Sequence, residues 1–175
     1  DKEKLRSLDT QLAKLSLTFG ENVLADSQSY ELQIDNESKL KGLPPAIIEI
    51  AKSLAKQKGK KGWIFTLDYP SYVPFITYAE NRELRKEICL AYGERGFKEN
   101  KNNNTKIILN IVKLRQERAE LLGYNSHADF VLEERMATSV KNVKEFLDDL
   151  SKKALPIAKK EWKKMSDFAE KDLDI

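Results

Sequence analysis

The sequence predicts a mainly α-helical protein built from long amphipathic helices. Apolar residues recur at three- and four-residue steps over most of the 175 residues, the period of a helix that buries one face. Charged residues make up 34% of the chain, whereas Gly and Pro number only 7 and 5, a balance that favours long helices over a sandwich or barrel. One aromatic segment, residues 63–77, breaks the helical period and predicts a short β-hairpin.

The first helix is predicted over residues 2–28, and a second follows a proline restart. Residues 30–34 form either a short extended piece or a last helical turn. Pro44 and Pro45 then suit a first helical turn, and Gly59 is a plausible stop for that helix. The apolar stripes of the two helices are Leu5, Leu8, Leu12, Leu15, Phe19, Val23 and Leu24 in the first, and Ile47, Ile48, Ala51, Leu54 and Ala55 in the second.

The predicted hairpin runs from Trp63 to Leu67, turns at residues 68–71 and returns from Tyr72 to Thr77. Pro74 cannot donate to a ladder, so it confines the second arm to an edge or a bulge. Because a two-stranded ribbon alone is marginal in water, this one must lean on helices or on another partner.

Four further helices are expected after the hairpin. The first covers about residues 79–94, and the second runs from a Thr105 cap to Gly123. The third is short, from Ser126 to about Met136, and the fourth begins at a Ser139 cap. The stripe of the last helix continues on both sides of Pro156, which predicts a kink rather than an end. That stripe comprises Val140, Val143, Phe146, Leu147, Leu150, Ala154, Ile157, Ala158, Trp162, Met165 and Phe168. Without a repeat or linker, residues 1–175 are predicted to be one helical unit.

Bulk composition gives no sign of nucleic-acid or membrane partners. The net charge of +3 comes from 31 basic and 28 acidic residues, which is close to balance. No apolar run approaches the ~18 residues of a membrane span, and no signal peptide is visible. A cytoplasmic location is therefore expected, or a periplasmic one if a parent protein carries a signal peptide.

Few residues offer catalytic chemistry. His127 is the single histidine: it is a base oriented by Asp129, a metal ligand, or a half-exposed first-turn residue after the Ser126 cap. The last interpretation is favoured because a metal site needs three or four ligands, commonly His or Cys. The lone Cys89 excludes an internal disulfide and is expected to be a small buried residue. The pairs Glu133-Glu134 and Asp148-Asp149, and the lysines 152, 153, 159, 160, 163 and 164, are expected to be solvated helix surface.

An aromatic set is the remaining candidate for binding. Phenol rings combine apolar area with a hydrogen-bonding tip, so Tyr69, Tyr72 and Tyr78 are candidate residues for lining a peptide channel. Core packing is the competing interpretation, because period-two alternation would bury about half of the aromatic set. That set is Trp63, Phe65, Tyr69, Tyr72, Phe75 and Tyr78.

Several segments in order resemble one family of enzymes. The segments are Gly62–Arg85, Ile111–Tyr124 and Val131–Ala137, followed by Val143, Phe146-Leu147 and Leu155-Pro156. Together they resemble the thimet oligopeptidase and peptidyl-dipeptidase family of zinc metallopeptidases over about residues 15–168. The ordered combination makes the resemblance specific, since no single segment is a mechanistic motif.

The resemblance implies a mostly helical, deeply grooved zinc peptidase that hydrolyses short peptides. The peptidyl-dipeptidase branch looks nearest, with the oligopeptidase branch as the alternative. The family's catalytic residues are the two histidines and the glutamate of a His-Glu-x-x-His helix, plus a distant glutamate ligand. Zinc in such a site lowers the pKa of its water to roughly 7 and polarises the scissile carbonyl.

None of those catalytic residues maps onto this sequence, which has one histidine and no His-Glu-x-x-His. The chain, whose ends look cut from a longer one, is therefore expected to be a non-catalytic segment of the upstream lobe of such a peptidase. It would form part of the substrate-channel wall beside the missing catalytic lobe, with no catalytic, cofactor or metal residue of its own. The alternative is a stand-alone helical protein-interaction module.

Overall fold

The structure, a computed structural model, describes residues 1–173, and residues 174–175 of the predicted single unit lie outside this part. It confirms the mainly α fold class, with seven α-helices and one two-stranded antiparallel sheet among the described residues. None of the described helices has the length and apolar content needed to cross a membrane. In chain order the elements are α1 (Lys2–Ser29), β1 (Leu32–Ile34), a 3₁₀ helix (Glu37–Leu40), α2 (Pro45–Gln57), β2 (Trp63–Phe65), α3 (Tyr69–Tyr78), α4 (Arg82–Gly93), α5 (Thr105–Leu121), α6 (His127–Leu132) and α7 (Val140–Asp172).

The β-hairpin predicted at residues 63–77 is wrong in its second arm. Only its first arm is a strand, and that strand pairs with β1, with Leu32 opposite Phe65 and Ile34 opposite Trp63. The ambiguous segment at residues 30–34 is thus extended rather than a final helical turn. The second arm is helix α3, with Pro70 in its first turn and Pro74 inside it.

Helix α3 forms because its apolar residues fit a helical face better than a strand face. Its inward side chains are Tyr72, Phe75 and Ile76, and the buried Ala79 directly after the helix continues their three- and four-residue spacing. Phe75 is fully buried and meets the Phe65 ring edge-on at a centroid distance of 4.6 Å. Aromatic and β-branched residues favour strands only weakly, so this packing decides the conformation.

Contacts within the chain group its residues into two compact units. The N-terminal unit is Lys2–Leu114, and the C-terminal unit contains the residues from Arg115 onward. The hydrophobic core of the N-terminal unit joins α2, α3 and α4 to the small sheet. Its most buried large side chains are Phe65, Leu67, Phe75 and Ile88.

Gly42 allows the chain to turn closely against the end of α3. Its φ of +87° lies in the left-handed region, and a Cβ there would sit 2.2 Å from the Tyr78 carbonyl oxygen. Next to it, the Glu80 amide donates to the Lys41 carbonyl at 2.9 Å. A side chain at position 42 would therefore displace this connection.

A buried carboxylate fixes the loop between α4 and α5 to α1. Asp26 is 2% exposed and accepts hydrogen bonds from the Gly96 amide at 2.7 Å, Asn102 Nδ2 at 2.7 Å and Asn100 Nδ2 at 3.1 Å. Burial alone would raise the pKa of Asp26, but these hydrogen bonds and the charge of Lys98 outweigh it and lower that pKa. The hydrogen-bond donors of the asparagine-rich loop therefore surround the Asp26 carboxylate, and these bonds hold the loop in place.

Asn104 adds a second buried anchor in the same loop. It accepts from Asn22 Nδ2 at 2.9 Å, and its own Nδ2 donates to the Phe19 carbonyl at 3.1 Å. The sequence predicts Thr105 as the cap of the following helix, but Thr105 is the first residue of α5. The Thr105 amide donates a hydrogen bond to Asn103 Oδ1 at 2.9 Å.

Serine caps begin both later helices, as the sequence predicts. Ser126 Oγ accepts from the Asp129 amide at 3.1 Å, and Ser139 Oγ accepts from the Asn142 amide at 3.1 Å. Helix α7 then runs for 33 residues through Pro156, and none of its described residues is buried.

Candidate functional site

The three candidate channel tyrosines lie on α3 but do not share one surface. Tyr69 and Tyr78 are 73% and 55% exposed, while Tyr72 is half-buried. Tyr69 and Tyr78 are about two and a half helical turns apart, which places them on opposite sides of the helix. A channel wall that includes one side of α3 can therefore contain Tyr69 or Tyr78, but it cannot contain all three tyrosine rings.

Tyr72 belongs to a stack of three side chains. The Tyr72 ring stacks on the Tyr92 ring at a centroid distance of 4.1 Å. The Arg95 guanidinium lies over the Tyr92 ring, with Cζ 3.5 Å from the ring centroid. Burial, followed by a hydrogen bond with the Cys89 thiol, raises the pKa of Tyr72. Cys89 itself is exposed, so its predicted burial is wrong. Stacking and burial assign Tyr72 a packing role.

A small apolar pocket lies beside α3 in the N-terminal unit. Its volume is about 250 Å³, and α2 and β2 supply apolar walls that include Ile47, Leu54 and Ile64. Thr66, Asp68 and Ser71 supply its polar lining; the Thr66 amide donates to Ser71 Oγ at 2.9 Å, and Thr66 Oγ1 donates to Asp68 Oδ2 at 2.9 Å. Since these polar groups bond to one another, the pocket suits an apolar side chain.

His127 occupies the first turn of α6, half-buried, as the favoured interpretation predicts. Asp129 accepts from Ser126 Oγ at 2.7 Å and closes the cap with its amide. Within residues 1–173 the buried Nδ1 of His127 has no hydrogen-bond partner. Burial, and then the charges of Arg115 and Arg118, lower the pKa of His127, so the neutral imidazole is favoured.

The described residues do not provide a zinc site. No three His, Cys, Asp or Glu side chains in residues 1–173 converge closely enough to hold a metal ion. The carboxylate pairs have other contacts: Glu133 accepts from the Tyr124 hydroxyl, and Asp149 pairs with Lys153 at 2.7 Å. The donor set of this segment therefore does not fit the zinc that the family resemblance implies.

A large exposed apolar face on α7 is the feature that sequence reasoning did not assign to a role. Periodicity predicts the stripe, but its exposure depends on which other elements cover it. The most exposed of its large side chains are Trp162 at 69% and Phe146 at 66%. The other large apolar side chains exposed on α7 are Leu147, Leu150, Leu155, Ile157, Met165 and Phe168.

Comparison with known proteins gives the context for these features. The model of the family described as "Peptidase family M3" matches residues 75–175. The chain is 38% identical over 169 residues to oligopeptidase A of Haemophilus influenzae, covering 94% of this chain and 25% of that protein. It is 28% identical to saccharolysin of Saccharomyces cerevisiae, covering 97% and 23%, and 27% identical to dipeptidyl carboxypeptidase of Escherichia coli, covering 86% and 22%.

The chain spans about a quarter of the length of these relatives. The family match covers more than half of the chain, and it includes α4 to α7 entire. The predicted resemblance is thereby confirmed: the chain belongs to peptidase family M3.

Proposed function

We propose that this chain is a non-catalytic segment of an M3 peptidase that hydrolyses short peptides, and that it forms part of the wall of the substrate channel. The observation that carries the proposal is the alignment of 94% of the chain with a quarter of an oligopeptidase. One histidine in the whole sequence cannot supply a two-histidine zinc site. Zinc and the hydrolytic chemistry are accordingly assigned to other parts of the parent protein.

An oligopeptidase-type parent is supported better than a peptidyl-dipeptidase. Identity is 38% to the H. influenzae oligopeptidase A and 27% to the E. coli dipeptidyl carboxypeptidase. This difference runs against the peptidyl-dipeptidase preference that the sequence resemblance suggests. We therefore assign cleavage of short peptides to the parent, without requiring release of dipeptides from a carboxyl end.

Tyr69 and Tyr78 are the residues of α3 that remain candidates for the channel wall. Both are exposed, whereas the Tyr72 ring is stacked on Tyr92. An exposed phenol can pack on a peptide and donate one hydrogen bond without any role in bond cleavage. Replacing the one that lines the channel should raise KM and leave kcat unchanged, the signature of uniform binding.

The test uses a fluorogenic oligopeptide with added zinc. The isolated 175-residue chain is expected to show no turnover, and the full-length parent is expected to show turnover that a chelator abolishes. Chelator-sensitive turnover by the isolated chain would contradict the non-catalytic assignment. The His127→Ala chain is the matched control, because it removes the one imidazole that could contribute to such turnover.

The channel-wall part is tested separately in the full-length parent. Tyr69→Phe and Tyr78→Phe keep the ring and remove the hydroxyl, while Tyr69→Ala and Tyr78→Ala remove both. A rise in KM for at least one alanine variant, with kcat retained, is expected. Unchanged kinetics for all four variants would remove α3 from the channel wall and leave the family assignment intact.

A further inference from the structure

The apolar face of α7 is continuous and carries one charge at its centre. Glu161 lies four residues from both Ile157 and Met165, so all three side chains occupy the same side of the helix. Ala154 and Phe168, seven residues before and after Glu161, lie on that side too. Glu161 therefore interrupts the stripe in its middle rather than at its edge.

A groove marks the same place. It has a volume of about 420 Å³ and is lined by Pro156, Ile157, Lys160, Glu161 and Lys164. Glu161 forms no ion pair within 4.0 Å among residues 1–173. The groove thus joins apolar surface to a carboxylate that has no basic partner in the described part of the chain.

The apolar area that α7 exposes is similar in size to one side of a protein–protein interface. The seven large apolar side chains of the stripe, each about half exposed or more, together expose on the order of 700 Å², taking ~150–250 Å² for a whole large side chain. They are Phe146, Leu147, Leu150, Ile157, Trp162, Met165 and Phe168. The largest apolar patch of a typical monomer is about 300–600 Å², and a standard interface buries about 800 Å² on each partner. A face of this size therefore calls for a partner surface rather than for water.

We propose that this face packs against another region of the same M3 polypeptide, outside residues 1–175, and that the covering surface presents a basic side chain to Glu161. The inference rests on the proposed function, because the relatives are about four times as long as the matched chain and so contain the additional polypeptide. A carboxylate enclosed by apolar contacts is costly unless it is paired. Lys160 and Lys164 line the same groove but form no ion pair with Glu161 within 4.0 Å, so we assign the pairing charge to the covering surface.

The two methionines of the chain provide a test that needs no substitution. Met165 lies in the stripe and is 59% exposed, whereas Met136 precedes α7 and is fully exposed at 102%. Dilute hydrogen peroxide converts accessible methionine to the sulfoxide, and peptide mass spectrometry gives the rate at each site. Both sites should oxidise at similar rates in the isolated chain, and Met165 should oxidise about tenfold more slowly than Met136 in the full-length parent.

Equal oxidation of the two methionines in the full-length parent would overturn the proposal. Protection of Met165 in the isolated chain that increases with concentration, together with a dimer in light scattering, would overturn it in favour of a second copy. Peptidase activity is measured on the same full-length sample. An inactive sample in which Met165 is protected would contradict the proposed function and leave the α7 interface standing.

The charge at the centre of the face has its own control. Glu170 is exposed and lies nine residues beyond Glu161, on the opposite side of α7. In the full-length parent Glu161→Lys should lower the apparent melting midpoint by about 3 °C or more, Glu161→Gln by less, and Glu170→Lys not at all. In the isolated chain, neither Glu161→Lys nor Glu170→Lys should change the apparent melting midpoint. If Glu161→Lys and Glu170→Lys behave alike in the parent, no basic partner faces Glu161.

Discussion

Gly42 is a residue whose identity is dictated by its surroundings. Gly42→Ala should lower the free energy of unfolding by roughly 2 kcal/mol or more, because a Cβ meets the Tyr78 carbonyl at 2.2 Å and a φ of +87° strains any side chain. Urea unfolding followed by circular dichroism measures the change.

Gly20→Ala is the matched control for that substitution. Gly20 lies inside α1 and a Cβ there would meet nothing within 4 Å, so alanine should stabilise by about 0.5–1 kcal/mol through helix propensity. Equal effects of the two substitutions would mean that the close approach at position 42 is not real.

Asp26 makes the stability of the N-terminal unit depend on pH. Its folded-state pKa lies below the unfolded value of ~3.9, so its stabilisation is complete above about pH 5 and is lost as the pH falls through the folded pKa. Asp26→Asn should cost about 2–4 kcal/mol at pH 7, because an amide replaces the charge that accepts three hydrogen bonds.

Urea unfolding between pH 3 and pH 7 measures this effect. The difference between the original chain and Asp26→Asn should be largest at neutral pH and shrink towards pH 3. Asp148→Asn, on the exposed surface of α7, should show no such difference. A gap that stays constant with pH would contradict the assignment to the Asp26 carboxylate.

At the scale of elements, periodicity predicts helices well and fails at α3. The stripes of α1, α2 and α7 extend over many turns, so a few irregular positions do not obscure them. Helix α3 has ten residues, two of them proline, and its aromatic composition imitates a strand. The missed signal was the spacing of Tyr72, Phe75, Ile76 and Ala79, which fits a helix and not a strand.

Pro156 weakens α7 without ending it. Proline has no amide hydrogen for the carbonyl of Lys152, and its ring crowds the preceding turn. Pro156→Ala should therefore raise helicity at 222 nm and stabilise the C-terminal unit by about 1–3 kcal/mol. Ala154→Gly, two residues earlier, is the control and should lower the free energy of unfolding by about 0.5–1 kcal/mol. If Pro156→Ala instead destabilises the chain, the proline relieves strain in α7.

At the scale of the whole molecule, charge predicts little affinity for nucleic acid. Basic and acidic residues nearly cancel, at 31 and 28, and counterion release requires several unopposed cations. Fluorescence anisotropy with labelled generic duplex DNA should show no binding at micromolar protein in 150 mM salt. Binding that weakens steeply as salt is raised would contradict this prediction and assign a nucleic-acid role to the lysines of α7 at positions 152, 153, 159, 160, 163 and 164.

The candidate site was less predictable than the fold. The tyrosines at positions 69, 72 and 78 share a residue type, but whether they share a surface depends on the conformation of α3, which the sequence mispredicted. The stripe of α7 was predictable as amphipathic, whereas its exposure was not, because amphipathicity does not say which surface covers a helix. Membership in the family was predictable because ordered segments carry it independently of local conformation.

Each compact unit contains one of the two tryptophans. Trp63 is half-buried in β2, and Trp162 is 69% exposed on α7. Indole emission moves to longer wavelength as water surrounds the ring, so the N-terminal unit should emit towards the blue and the C-terminal unit towards the red. Each unit thus carries an intrinsic optical reporter, and the melting of one can be followed separately from that of the other.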